Sequence, residues 1–436
     1  MRAKFFIVLT LVVLRGAPAF AQDFFGAGVT AQTAARAGIY VPDSSNALDA
    51  LALNPAGLSA LTGPTLNLST LGLLARGSFS NAANVNSPMR FTAGAIPYGA
   101  VGMPLGHRWT VAAGFLPDLL SAANWQFHDA SGTAGANYGA QNETSRILAF
   151  RSAAGASYAL SRRVSVGVSV SAVYNSNTLI MPYVFQSNPD LKGLKTLLDL
   201  HTTGLGWNAG AGLTAKLSRR WQIGASYRSV SSITSTGNAT GNMGAQFAAL
   251  GIPFRPDFSY SAQVKVQLPQ AAIASAIYQM NPKLRFNFES GWTGWSRSFN
   301  NLPVTLANGN NSQINSFLGS TGIQDIIPLN WKDQFSFRGS FERKLGENLS
   351  ASGGYSHANS PVPSSTLTPL TAAIMSNGLT AGLGYRRGIV HFNLAYQFDF
   401  AARQSVGASG LEAGEFSNSR VRAGTQGLIL TTSLHL

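Results

Sequence analysis

Arg228, Lys265, Lys332 and Arg338 each stand in or beside a stretch where apolar residues recur at every second position. From Trp221 to Arg228 the apolar set is Trp221, Ile223, Ala225 and Tyr227, so Gln222, Ser226 and Arg228 share the opposite face. The same reasoning sets Lys265 opposite Val264, Val266 and Leu268, and sets Lys332, Gln334, Ser336 and Arg338 opposite Phe335, Phe337 and Phe341. A cation on the enclosed side of such a strand can hold a carboxylate through charge-assisted hydrogen bonds while apolar neighbours hold a hydrocarbon body. Inward acids such as Glu289 and Glu342 are the competing partners, and pairing with them would make the four cations structural.

Other chemistry finds little support. His107, His128, His201, His357, His391 and His435 are scattered, with neither metal-ligand spacing nor a carboxylate cluster beside them. No serine occupies a nucleophile elbow, and the absence of cysteine removes thiol catalysis. The sequence therefore reads as that of a non-enzyme with no catalytic residues, no metal site and no cofactor.

The elements that must position these residues are strands. Fourteen alternating stretches run at about 64–80, 88–104, 107–117, 144–160, 163–177, 200–217, 220–237, 257–279, 283–299, 327–345, 347–358, 374–387, 388–401 and 420–436. Every second connection is very short, and three of these repeat one formula: Leu105-Gly106-His107-Arg108-Trp109, Leu160-Ser161-Arg162-Arg163-Val164 and Leu217-Ser218-Arg219-Arg220-Trp221. The other connections are long. Short turns on one side and long loops on the other suit an outer-membrane barrel, because only a closed sheet satisfies every backbone group in hydrocarbon. The expected fold is an all-β, 14-stranded antiparallel transmembrane β-barrel with a small N-terminal helical hatch plugging the lumen. Strand 3 carries Gly114 and Pro117, which mark a bend.

Arg2 and Lys4, the apolar run from Phe5 to Leu14 and Ala19-Phe20-Ala21 read as a signal peptide over 1–21, giving an exported protein. Without it the formal charge falls from +14 to +11, since Arg2, Lys4 and Arg15 leave. Much of that surplus sits at the short turns, with Trp109 and Trp221 beside it, which suits anionic headgroups and an interfacial anchor rather than nucleic acid. Residues 22–63 do not alternate and are too apolar for a tail. Ala47 to Leu53 predicts one helical turn, and Asn54-Pro55-Ala56-Gly57-Leu58 another, capped by Asn54 with Pro55 in the first position. This segment is the expected hatch, and 64–436 the barrel. In the loop after strand 5, Pro189 to Leu200 predicts a short helix capped by Asn188, with Leu191, Leu194, Leu197 and Leu198 on one face.

These residues together resemble the FadL-type outer-membrane transporters of long-chain fatty acids, a family that includes carriers of aromatic hydrocarbons. The resemblance spans the mature chain and rests on Asn54-Pro55-Ala56-Gly57-Leu58, Tyr227-Arg228-Ser229, Leu268-Pro269, Trp292-Thr293-Gly294-Trp295-Ser296, Trp331-Lys332-Asp333 and Ser360-Pro361-Val362-Pro363 in that order. It implies passive, ligand-gated uptake across the bacterial outer membrane, with lateral exit at a kink in strand 3 and the hatch element Asn54, Pro55, Ala56 and Gly57 near that kink at Gly114. The implied partners are a long-chain fatty acid or other hydrophobic small molecule, membrane lipid with lipopolysaccharide, and the outer-membrane assembly machinery, with the protein a monomer. Aromatic-hydrocarbon uptake is the alternative; a diffusion porin or a lipid-acting barrel enzyme lies further off. The final residue, Leu436, is aliphatic where such barrels usually end on an aromatic.

Overall fold

The computed structural model describes residues 29–42, 46–90 and 92–436; the expected signal peptide lies outside them. Fourteen wall strands form one antiparallel sheet: β1 (Thr65–Asn81), β2 (Asn84–Pro88, then Thr92–Leu105), β3 (Trp109–His128), β4 (Ala140–Ala159), β5 (Val164–Val184), β6 (Lys195–Lys216), β7 (Trp221–Arg228, then Ser231–Asn242) and β8 (Asp257–Leu268, then Ala271–Asn281). There follow β9 (Leu284–Thr293, then Asn301–Ala307), β10 (Ile323–Pro328, then Gln334–Lys344), β11 (Leu349–Ala358), β12 (Asn377–Arg387), β13 (Val390–Val406) and β14 (Ser419–His435). The cylinder closes where β1 pairs with β14 from Thr65 opposite His435 to Ser80 opposite Arg420.

Alternation decides the two faces in the membrane. In β5, Val168 and Val170 are exposed while Gly167, Ser171 and Asn175 are buried. The short turns follow from their serines: Ser161 Oγ accepts from the N–H groups of Arg163 and Val164, both at 3.1 Å, and Ser218 Oγ from those of Arg220 and Trp221 at 3.2 and 3.0 Å. Each hydroxyl caps its turn, so the arginines between point outward.

Strands β7 to β10 each break once. The breaks fall at Ser229-Val230, Pro269-Gln270, Gly294 to Asn300 and Leu329 to Asp333, dividing each strand into two paired sections. In the first section of β8 the outward residues are polar, with Asp257, Ser261 and Lys265 exposed, while Phe258, Tyr260, Val264, Val266 and Leu268 are buried. This reverses the expected orientation of Lys265. The expectation equated apolar with lipid-facing, whereas this section has water outside and a greasy interior within.

The expected helix at 189–200 is also absent. Asn188 Oδ1 does accept from the N–H groups of Asp190 and Leu191, but a single turn follows and β6 begins at Lys195. Strands β3 and β5 run on to His128 and Val184, well beyond their expected ends, because their upper parts pair above the lipid-facing band.

The N-terminal segment lies inside the bore. Helix α1 (Ala31–Ala34), helix α2 (Ala47–Leu53) and a 3-10 turn (Pro55–Ala60) are almost entirely buried. Asn46 caps α2 and Asn54 caps the following turn, with Pro55 in its first position, as expected. Asp49 folds the segment on itself by accepting from Thr30 N, Thr30 Oγ1 and Thr33 Oγ1, each at 2.6 Å. The wall holds it around the circumference: Ala31 N donates to Thr431 Oγ1 (2.8 Å), Ala47 N to Asn67 Oδ1 (2.8 Å), Tyr98 Oη to the Val29 carbonyl (2.6 Å) and Thr380 Oγ1 to the Ala35 carbonyl (3.0 Å).

Candidate functional site

An apolar cavity of about 130 Å³ occupies the upper bore. The strand breaks make much of its wall. Trp295, in the break of β9, lies 5.0 Å from Phe299 and 5.0 Å from Trp331 between ring centres, and Phe299 stacks on Trp331 at 4.9 Å. Val264 and Val266 of β8 and Leu179 of β5 complete the contact surface. Asp333 fixes the break by accepting from Trp292 Nε1 and Ser296 N, both at 3.0 Å. A narrow crevice of about 20 Å³ continues the cavity past Leu179, Tyr183 and Leu200 toward Phe185 and Phe258.

Loops close the extracellular end. Asp325 accepts from Tyr183 Oη at 2.5 Å, Ser187 N at 2.6 Å, Ser187 Oγ at 2.8 Å, Gln186 N at 3.0 Å and Asn188 N at 3.1 Å, so one carboxylate fastens the loop after β5 to β10. Lys195 Nζ sits 2.6 Å from Asp129 Oδ1 and 3.7 Å from Oε1 of Glu415, a cavity-lining residue. Burial pushes the Glu415 carboxyl up to about 7; nearby Lys195 opposes this rise and Asp129 adds to it.

Arg146 of β4 also lines the cavity. It makes no hydrogen bond or ion pair with any described residue, and its Nε is buried. A guanidinium left without a partner beside apolar surface is costly unless something anionic comes to it.

Below the cavity the wall has a gap. Strand β2 pairs with β3 only from Gly99 opposite Phe115 to Leu105 opposite Trp109, so Thr92 to Tyr98 pair with β1 alone. From Leu116 onward β3 pairs only with β4 until a bridge between Met89 and Trp125. Within this gap the β3–β4 register slips between Pro117 and Leu119, leaving Asp118 in a bulge. Such a bulge re-aims a strand and ends pairing on one side.

A plugged barrel with a greasy upper chamber and an interrupted seam between β2 and β3 matches the family model described as outer membrane protein transport protein (OMPP1/FadL/TodX), which aligns over residues 14–418. The chain belongs to this family. It is thus a β-barrel of the bacterial outer membrane, from a family of hydrophobic-compound transporters rather than enzymes. Among solved structures it resembles a Pseudomonas aeruginosa FadL homologue (TM-score 0.75, 15% identity, 97% of this chain and 100% of that one). It is likewise similar to the Ralstonia pickettii toluene transporter TbuX (TM-score 0.71, 18% identity, 94% and 98%) and the Pseudomonas putida toluene transporter TodX (TM-score 0.71, 17% identity, 98% and 100%). No curated protein sequence matches it.

Within this FadL-type barrel the four sequence-picked cations separate into two pairs. Arg228 and Arg338 do face the bore, but each meets an acid: Arg228 Nη1 lies 3.0 Å from Asp118 Oδ1, and Arg338 Nη1 lies 2.6 Å from Glu289 Oε1 and 3.5 Å from the Gly38 carbonyl. Glu342 similarly joins Arg36 of the N-terminal segment to Arg285 of β9. Lys265 and Lys332 are exposed, the latter because its backbone N–H is held by the Pro361 carbonyl (2.8 Å) in the break of β10.

The hatch motif docks on wall glycines. Asn54 Nδ2 donates to the carbonyls of Leu213 and Ala225 at 3.1 and 3.2 Å, and a Cβ on Gly167 or Gly212 would overlap Pro55, Ala56 or Asn54. Gly57 leaves room for Tyr40 in the same way. Gly114 instead packs under Ala100 and the Gly99 carbonyl, where a Cβ would come within 2.7 and 2.8 Å. Asn54 to Gly57 therefore seat mainly against β4 to β6, and their link to the bulge runs through Arg151 rather than direct contact. Sequence reading missed Arg146, Arg151 and Asp118. The aromatic motifs at 292–296 and 331–333 were the available signal for the cavity itself.

Proposed function

We propose that the protein admits an amphipathic hydrophobic molecule, a fatty acid being the leading candidate, into the upper cavity with its carboxylate on Arg146. The N-terminal segment 29–63 acts as the hatch below, and the ligand leaves sideways through the gap between β2 and β3. Arg146 carries this reading: it is a cation without a described partner on an otherwise greasy wall. Movement needs no cofactor, since binding can shift the hatch between states down a concentration gradient. Equilibrium binding of a radiolabelled long-chain fatty acid to purified protein tests it. Arg146→Gln should weaken binding about tenfold or more, the scale of one charge-assisted hydrogen bond. Unchanged affinity would remove the head-group role.

A second reading is a neutral single-ring aromatic. The cavity's 130 Å³ is close to the roughly 150 Å³ apolar cavity that accepts benzene, and two similar structures are named as toluene transporters. Toluene binding indifferent to Arg146→Gln, with no measurable fatty-acid binding, would favour it.

A further inference from the structure

Three elements with different jobs meet at one buried cluster. Asp118 stands in the β3 bulge and is 1% exposed; its Oδ1 lies 3.0 Å from Arg228 Nη1 of β7 and 3.5 Å from Arg151 Nε of β4. Strands β3 and β7 are four apart in the wall, so the Asp118–Arg228 pair crosses the bore and holds the bent strand inward. Arg151 also reaches the N-terminal segment, where its Nη2 donates to the Ala52 carbonyl at the end of α2 (2.9 Å). Beside it Ser226 Oγ donates to the Leu53 carbonyl (2.6 Å). One guanidinium therefore links the hatch to the edge of the gap.

The charges in this cluster do not balance. Two guanidiniums face one carboxylate, Asp118 Oδ2 accepts no hydrogen bond, and neither does Arg151 Nε donate one. Arg151 is the more loosely held arginine of the two, at 3.5 Å from the acid. A second carboxylate would bring the count to two against two and could pair with Arg151 while Asp118 keeps Arg228. It would reach the cluster from above: Leu119, the neighbour of Asp118, lines the cavity, and Arg151 lies five residues below Arg146 on β4, about 17 Å along the strand.

We propose that Arg151 is the trigger of the gate. A ligand carboxylate that pairs with Arg151 takes it from both Asp118 and the Ala52 carbonyl, so that the β3 bulge and the end of α2 are released together. This rests on the anionic-ligand reading above and adds to it the site at which the ligand acts on the hatch.

Hydrogen exchange of the full-length protein in detergent, with a long-chain fatty acid and with the primary alcohol of equal chain length, tests the coupling. Saturating fatty acid should speed exchange at 116–124 and 47–53 together by about tenfold, and the alcohol should speed neither. Asp118→Asn should raise exchange at 116–124 without ligand, while Arg151→Gln should abolish the response to fatty acid. Heat-modifiable electrophoretic migration checks that each variant is a closed barrel; should either fail to fold, the wild-type contrast between acid and alcohol decides alone. Equal acceleration by the alcohol, or none by the acid at saturation, would overturn the proposal. Arg146→Gln separates the two ideas: at saturating fatty acid it should keep the exchange response, whereas its affinity loss bears only on the head-group reading.

Discussion

Strand β5 in its lipid-facing part and strand β8 in its first part carry the same kind of pattern with opposite meaning. In β5 the valines point out and the serines in; in β8 Val264 and Val266 point in while Lys265 points out. Alternation reports that two faces differ, and only the surroundings say which face is which. Where lipid lies outside and a hatch lies inside, greasy means outward. Above the breaks, with water outside and a hydrophobic chamber inside, greasy means inward.

The largest test of that contrast is Val168→Arg, which places a cation on the lipid face. It should cost about 2–4 kcal/mol of barrel stability in lipid, measured by urea unfolding in vesicles. A smaller effect belongs to the upper half, where Glu415 is buried beside Lys195, Asp129 and the nearby acid Glu143. Its folded value, about 7, lies above the ordinary 4.5, so its contribution to holding the cap is full below 4.5 and is lost as pH rises through about 7. Protease nicking between 407 and 418, corrected for the protease's own pH profile, should increase through that range, and Glu415→Gln should flatten the rise. The smallest effect should come from Lys265→Ala and Lys332→Ala, each within about 0.5 kcal/mol in stability and without change in ligand binding. A marked loss of binding from either would show that the upper section of the wall has been turned the wrong way round.

What the sequence made legible follows the same division. The repeated Leu-Ser-Arg-Arg turns, the lipid-facing valines and the Asn54-Pro55 cap are local patterns, and each appears where it was expected. Arg228 and Arg338 were rightly set inside, yet their partners Asp118 and Glu289 come from other strands, and closure of the sheet alone brings Asp118 within reach of Arg228. The segment at 189–200 failed for a different reason. Its leucines at 191, 194, 197, 198 and 200 satisfy the helical period and the strand period about equally well over so short a run, and pairing with β5 chose the strand. Asp118 had no pattern at all: a bulge is a register slip between two strands, visible only when both are present.

The join between β1 and β14 has a consequence for biogenesis. Residues of that join also grip the N-terminal segment: Asn67 accepts from the N–H groups of Ala47 and Leu48 and donates to Ser433, and Thr431 accepts from Ala31 N while touching Ser69 at 2.7 Å. The last strand to be synthesised thus zips onto the first across a surface that already cradles the chain's leading end. Insertion into the outer membrane must then proceed with the stopper loaded before the cylinder is sealed, and a chain lacking residues 29–63 should linger as an unsealed sheet on the machinery that inserts it.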